Sequence, residues 1–446
     1  MLIAFRVENY RSLRDESELT MVVPSWVDPG GHAVVPMEPV SKLCLGSVAA
    51  IYGANASGKS NVLRALCRMR TAVEDSHQRW RPGSGVPYTP FFGDKSGGRS
   101  STFEVEIYLD GQRYTYGYRN NSERILQEWL YSYSGSRRRV WFERDTESSE
   151  PFYFGKVLRG RPSVIAALTR DNSLFLSAAT ANNHPELGRI ARWFVDSIWR
   201  VTPAERRSTG LGFTLRLLSR YEGERQRIKE LLTFADLGII DVEARTREIP
   251  DELRERLSAM FKTLDMRAED IDATIEEAMQ SAEFTHTYGA NDRATLALAD
   301  ESEGTKSWLG LIGSILPVLD EGRVLLVDEL DASLHPRLSS EIIRVFHDPE
   351  LNKRGAQLIF NTHDPSLIGT LLESAPLRRD EVWLTEKDRC GVTHLYPLTE
   401  FKPRKAENLE RGYLQGRYGG VPFLDRSHLL AGVSKSETQE SDGQAD

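Results

Sequence analysis

Val48-Ala49-Ala50-Ile51-Tyr52-Gly53-Ala54-Asn55-Ala56-Ser57-Gly58-Lys59-Ser60-Asn61 is an apolar run that closes on Gly53-x4-Gly58-Lys59-Ser60, the pattern of a phosphate-binding loop. Glycines at both ends let the backbone wrap a polyphosphate with successive N–H groups turned inward, and the helix that follows offers its positive end to the same charge. Lys59 is expected to reach the β- and γ-phosphates of ATP and Ser60 to ligate Mg²⁺, with Asn55, Ser57 and Asn61 in the same cradle. Val62, Leu63, Leu66 and Met69 recur on one side of the next segment, so strand, loop and helix follow in the order that the motif requires.

A second apolar run, Val324-Leu325-Leu326-Val327, ends in Asp328-Glu329. Asp328 is suited to hold Mg²⁺ through its water shell and Glu329 to polarise an attacking water as catalytic base. Leu330-Asp331-Ala332-Ser333-Leu334-His335-Pro336 follows at once. A third run, Ala356-Gln357-Leu358-Ile359-Phe360, ends in Asn361-Thr362-His363-Asp364, where His363 can sense a γ-phosphate or orient water. Continuous apolar runs of this kind suit a parallel sheet buried on both faces.

Outward from these runs, Leu2 to Tyr10 reads as an edge strand leading into a turn, and Arg81 to Ser101 as loop. Thr102 to Leu109 and Gln112 to Tyr118 alternate on either side of Asp110-Gly111, a hairpin signal, and Ile125 to Tyr133 and Arg139 to Phe142 extend it into an antiparallel meander. From about Pro162 to Phe284 charged and apolar residues interleave without a sustained heptad, the text of a helical insertion rather than a long coiled coil. The expected division is an N-terminal lobe over 1–160, a helical insertion over 161–285, a C-terminal lobe over 286–430 and a disordered tail over 431–446.

The chain has 446 residues, 40% of them apolar, enough for two or three compact units. Its longest apolar stretch, Leu309 to Leu319, is too short to span a bilayer, and the first residues lack a signal-peptide core, so a cytoplasmic protein with no membrane partner is expected. Cys44, Cys67 and Cys390 have no metal-ligand spacing and read as apolar side chains in a reducing compartment. A formal net charge of −8 argues against general affinity for nucleic acid. Arg137-Arg138-Arg139, the segment Arg189 to Arg227 and Lys402 to Lys405 are the local candidates, although such runs are ordinarily solvated faces.

The order of phosphate loop, long insertion, Asp-Glu, Asp331 and His363 resembles the ABC-type ATPases, in the non-transporter branch of SMC, RecF and OLD-like proteins. The resemblance implies an α/β fold: a bilobal ATPase head with a mixed sheet, an antiparallel β meander and a helical insertion. Leu298 to Lys306 sits where that branch carries its signature motif, without the transporter wording. It implies that Ser302 and Gly304 close on the γ-phosphate held by another subunit, with Asp331 in support; a helix cap is the plain alternative for Ser302. Phe5 to Leu13, Glu301 to Thr305, Leu377 to Lys387 and Tyr413 to Pro422 look like the AAA-type abortive-infection ATPases of the AbiL/RloA kind. Members imply ATP and Mg²⁺ as cofactors, a homodimer or higher homo-oligomer, and a separately encoded effector in anti-phage defence. The alternative is a RecF/SMC-like repair ATPase that clamps DNA. Only about eighty residues follow His363, too few for an OLD-type nuclease module. The usual metal-sensing Gln has no counterpart, since the strand-like Ser173 to Ser177 ends in Ser, and Arg417 reads equally as a phosphate or partner contact or as a tie between lobes.

Overall fold

The computed structural model describes residues 1–433 except 29, 38–42, 94–97, 136, 247–249, 264–270, 272–274, 276–278, 289–291, 372–373, 403–406 and 423–424. The predicted tail therefore lies outside the described residues beyond Val433, as do three positions, 403–405, of the Lys402–Lys405 run.

The three apolar runs become neighbouring parallel strands. In the central sheet the order is Ile198–Val201, Val324–Val327, Gln357–Asn361, Val48–Gly53, Val382–Lys387 and Thr393–Pro397, with only the last pair antiparallel. Every residue of Val48–Gly53, Val324–Val327 and Gln357–Asn361 is buried. The pleat divides them between two cores. Ala49, Ile51, Leu326 and Ile359 pack with one face of the helix Lys59–Asp75 and with Phe175 and Phe194. Ala50, Tyr52, Leu325 and Phe360 pack on the other side with Trp308, Leu309 and Ile312 of the helix Glu303–Glu321, and with Ile342 and Phe346 of the helix Pro336–His347.

The hairpin and meander stand as predicted within a seven-stranded antiparallel sheet, ordered Phe152–Phe154, Arg137–Asp145, Ile125–Ser134, Gln112–Asn120, Ser101–Leu109, Leu2–Glu8 and Ser17–Thr20. Leu2–Glu8 is not the edge strand it was expected to be: it is paired on both sides, with Ser17–Thr20 and with Ser101–Leu109. Its partner on the outer side is a four-residue strand across a turn, too short to carry a strong alternation signal of its own.

The span 161–285 is not purely helical. It holds the helices Pro162–Leu168, Phe175–Ala181, Pro185–Ser197, Leu211–Arg220, Glu222–Phe234 and Asp251–Thr263. It also supplies the outermost strand of the central sheet, Ile198–Val201, and two strands, Ile239–Thr246 and Gln280–Tyr288, that pair with Asp292–Ala297 in a sheet of their own. Surrounding charge hid the β-branched and aromatic positions Ile239, Val242 and Phe284, which are fully or nearly fully buried. Ser173 to Ser177 also departs from expectation, for Phe175 begins a helix. The cause is remote: the buried Glu128 carboxylate of the meander accepts from Phe175 N at 2.6 Å and Leu176 N at 3.0 Å, an acidic group satisfying a helix N-terminus.

Candidate functional site

Strand order puts the ends of Val48–Gly53, Gln357–Asn361 and Val324–Val327 side by side, so Lys59, His363 and Asp328 meet although they come from distant parts of the chain. The loop after Gly53 is tight. A Cβ on Gly53 would lie 2.2 Å from Thr385 Oγ1 and 2.5 Å from Ser57 Oγ. Gly58 has φ 110°, and a Cβ there would lie 2.2 Å from Thr393 Oγ1. Glycine is required at both positions by space and, at Gly58, by backbone conformation as well. The donor set therefore fits a nucleotide phosphate: loop amides, a helix N-terminus at Lys59 and an ammonium in one concavity.

Lys59 Nζ lies across the loop, donating to Gly53 O at 2.8 Å and Ala54 O at 3.0 Å. Burial pulls its ammonium down to about 8, against the opposing pull of Asp331, Glu329 and Asp328. Ser60 Oγ donates to Asp328 Oδ1 at 2.7 Å, so the two expected Mg²⁺ ligands are adjacent and their oxygens match a hard cation. Asn55 is exposed on the loop. Ser57 and Asn61 turn away from it and brace it: Ser57 Oγ pairs with Thr385 Oγ1 at 2.6 Å, and Asn61 Nδ2 donates to Ser12 Oγ at 2.7 Å. Thr393 Oγ1 donates to Ser57 O at 2.7 Å and accepts from Ser12 Oγ, 2.7 Å away. These hydroxyls fix the loop's shape from behind.

Glu329 is exposed next to the buried Asp328 and has φ 54°, a left-handed conformation unusual for a residue with a Cβ. Asp331 Oδ2 accepts from His363 N at 3.4 Å, which ties the turn after the carboxylates to the end of the neighbouring strand. Asp331 Oδ1 is buried without a partner. Partial burial and the nearby Lys59 ammonium hold the His363 ring below its ordinary range, with Asp331 and Glu329 opposing, so the ring is neutral at pH 7. Ser302 caps the helix Glu303–Glu321, its Oγ accepting from Thr305 N at 3.0 Å. Gly304 lies against the turn at Ser333, whose carbonyl oxygen would be 3.3 Å from a Cβ at position 304. Among the described residues, no hydrogen bond joins Ser302 or Gly304 to the phosphate loop of the same chain.

Two residues central to this geometry were not among the expected site residues. Asn361 is fully buried; its Nδ2 donates to Asp328 Oδ1 at 2.5 Å and its Oδ1 accepts from Glu329 N at 2.7 Å. A polar residue ending an otherwise apolar strand was the available clue. Arg206, in a charge-rich segment, is fully buried too, and its guanidinium donates to Glu329 O at 2.7 Å and Asp328 O at 3.2 Å. The C-terminal motif backs the same site. Tyr413 stacks edge-on against Tyr52 with ring centroids 5.4 Å apart, its hydroxyl donates to Gly420 O at 3.3 Å, and Gly420 approaches Gly53 Cα. Arg417 pairs with Glu407 at 3.3 Å, a contact within the C-terminal lobe that joins no second lobe.

The arginines proposed for nucleic acid are engaged in part. Arg189 pairs with Asp110 at 2.9 Å, Arg200 with Glu205 at 3.5 Å and Arg227 with Asp320 at 2.7 Å. Arg138 lies over the Tyr131 ring at 4.4 Å, and Arg137, Arg138 and Arg139 are all exposed. No helix among the described residues is long and apolar enough to cross a membrane.

The family model described as "AAA domain, putative AbiEii toxin, Type IV TA system" matches residues 48–369, from the phosphate-loop strand to just past His363. No curated protein matches the chain. Among solved structures, an SmcHead bound to the C-winged helix domain of ScpA is similar at 13% identity and a TM-score of 0.42, over 90% of this chain and 99% of that one. The Smc head domain with an extended coiled coil, bound to the C-terminal domain of ScpA derived from Pyrococcus furiosus, gives 13% and 0.37 over 90% and 97%. The recombination mediator protein RecF-ATP gives 14% and 0.32 over 82% and 94%. The matched span encloses Lys59, Ser60, Asp328, Glu329 and His363, and the chain belongs to the AAA-domain family that this model describes.

Proposed function

We propose that the chain is an ATPase of the ABC type, hydrolysing ATP to ADP and phosphate, and that its nucleotide cycle controls a separately encoded effector in defence against phage. The observation that carries the reading is the meeting of Lys59, Ser60, Asp328, Glu329 and His363 at the ends of three adjacent parallel strands, with Asn361 joining Asp328 to Glu329. Loop amides and the Lys59 ammonium bind the β- and γ-phosphates. Mg²⁺, held at Ser60 and Asp328, supplies charge neutralisation when bound. Glu329 accepts the proton of the attacking water as the bond between γ-phosphorus and its bridging oxygen breaks, and neutral His363 orients that water.

Ser302 and Gly304, at a helix N-terminus with no hydrogen bond to their own phosphate loop among the described residues, fit completion of the site of a second copy, which makes the active unit a homo-oligomer. The effector role rests on the toxin and antitoxin wording of the family description. Engagement of Arg189, Arg200 and Arg227 with acids of the same chain favours this reading over a clamp on duplex DNA. Glu329→Gln tests the chemistry: ATP binding is retained and turnover falls by about 10² to 10⁴. Unchanged turnover in that variant removes Glu329 as the base.

A further inference from the structure

Arg206 Nη1 and Nη2 reach not only the carbonyls of Asp328 and Glu329 but also Ala332 O at 3.2 Å, Leu330 O at 3.4 Å and Ser307 Oγ at 3.5 Å. One guanidinium thus gathers four carbonyl oxygens of the turn that follows the carboxylate strand. That turn is strained, with Glu329 at φ 54° and Ser333 at φ 61°. Glu329 is gripped at both of its peptide groups: Asn361 takes its N–H and Arg206 its carbonyl. With both fixed, the direction of the Glu329 Cα–Cβ bond is fixed as well.

The other end of the grip is the helix headed by Ser302. Arg206 opens a π-helical turn, Arg206–Gly210, that lies directly on the helix Glu303–Glu321. The approach is backbone to backbone. A Cβ on Gly310 would stand 2.0 Å from Arg206 O, and one on Gly210 would stand 2.7 Å from Gly310 O. Further along, a Cβ on Gly313 would stand 2.2 Å from Thr214 Oγ1, which itself donates to Leu309 O at 2.7 Å. Packing this close leaves no room for sliding, so the segment from 206 to 214 follows the helix when the helix shifts.

We propose that Arg206 is a positioning residue that conveys the placement of the helix headed by Ser302 to the backbone of Glu329, so that this helix sets the rate of hydrolysis without touching the ATP of its own subunit. The proposal rests on the ATPase reading given above. Burial draws the guanidinium down to about 10, with Asp331, Glu329 and Asp328 opposing, and it remains a cation at neutral pH.

The test compares the full chain with Arg206→Met, Arg206→Lys and Glu329→Gln. Three quantities are measured: the Kd for a fluorescent ATP analogue with Mg²⁺, kcat for ATP, and amide exchange along the chain. Arg206→Met is expected to keep Kd within about threefold while kcat falls at least about tenfold, a split that marks loss of transition-state positioning rather than of binding. Exchange should quicken from Glu329 to Ala332 and stay unchanged from Gly53 to Asn61, and Arg206→Lys should recover part of kcat. Turnover of Arg206→Met within about twofold of wild type overturns the proposal. So does a joint fall of affinity, turnover and protection over the whole chain, which is the mark of a merely structural arginine. If Arg206→Met does not fold, the same two criteria are applied to Arg206→Gln, which keeps a donor group without the charge or the fork of the guanidinium. Wild type that turns over while Glu329→Gln is silent and Arg206→Met is normal sinks the coupling alone; wild type that does not hydrolyse ATP sinks the ATPase reading and the coupling together.

Discussion

Replacing Asn361 by Leu removes a side chain of similar volume together with both of its clamps. The bond from Nδ2 to Asp328 Oδ1, at 2.5 Å, involves an ionised acceptor, and such bonds contribute about 1.5–3 kcal/mol. The bond from Glu329 N to Oδ1, at 2.7 Å, satisfies a donor that would otherwise lack a partner, at a cost of about 1–3 kcal/mol. Asp328 keeps Ser60 as a partner, and Leu adds apolar burial at a fully buried position, so the net loss is expected near the lower part of the sum, about 3 kcal/mol. Chemical denaturation of the purified chain measures it. Asn361→Asp separates the clamps, because it keeps an acceptor for Glu329 N while setting a second carboxylate against Asp328. It should weaken MgATP binding differently from Asn361→Leu, since only the Asp variant adds negative charge beside Asp328, the proposed metal ligand. A stability change below about 0.5 kcal/mol in Asn361→Leu, the level of an ordinary surface substitution, would refute the clamp.

Because burial brings the Lys59 ammonium to about 8, the cation proposed to face the phosphates is present below that pH and lost above it. Apparent Kd for ATP should rise about tenfold between pH 7 and 9, and Lys59→Arg, which stays protonated, should flatten the profile; a flat wild-type profile contradicts the assignment. Glu128→Gln leaves one acceptor where two helix amides and Tyr116 converge. Denaturation should show a loss of about 1–3 kcal/mol, and equal stability would mean that the helix beginning at Phe175 needs no carboxylate. Ser302→Arg and Lys59→Ala chains, each inactive alone, should regain part of the ATPase activity when mixed, since one composite site stays whole. Mixed assemblies without activity would reduce Ser302 to the cap that it forms in its own helix, whose loss costs about 1 kcal/mol.

What could be read from the sequence was local or strongly patterned. Gly53 to Ser60 carries its own geometry, because each glycine answers a constraint within a few residues or at one close neighbour. Val324 to Glu329 and Gln357 to His363 announce themselves as buried strands because nothing polar interrupts them until the sheet ends. The pairing of Leu2–Glu8 on both sides, the strands within 161–285 and the helical start at Phe175 depend on partners far along the chain, and no window of residues contains them. Glu128 and Phe175 are 47 positions apart, and Arg206 and Glu329 are 123 apart. Arg206 is the sharpest case. In sequence it belongs to a run of charges that reads as a solvated face, and only the carbonyls gathered around it make burial of an arginine tolerable.

The place of Val48–Gly53 between Gln357–Asn361 and Val382–Lys387 has a consequence for the birth of the protein on the ribosome. An early strand has both of its neighbours encoded roughly 300 residues later, and at ~5–20 residues per second the wait is ~15–60 s. Throughout that interval an apolar segment with two open hydrogen-bonding edges stands exposed, the kind of template on which nascent chains misassemble. A fragment ending before Asn361 cannot relieve it, so premature termination or a cut between the halves leaves an aggregating remnant rather than a smaller working unit.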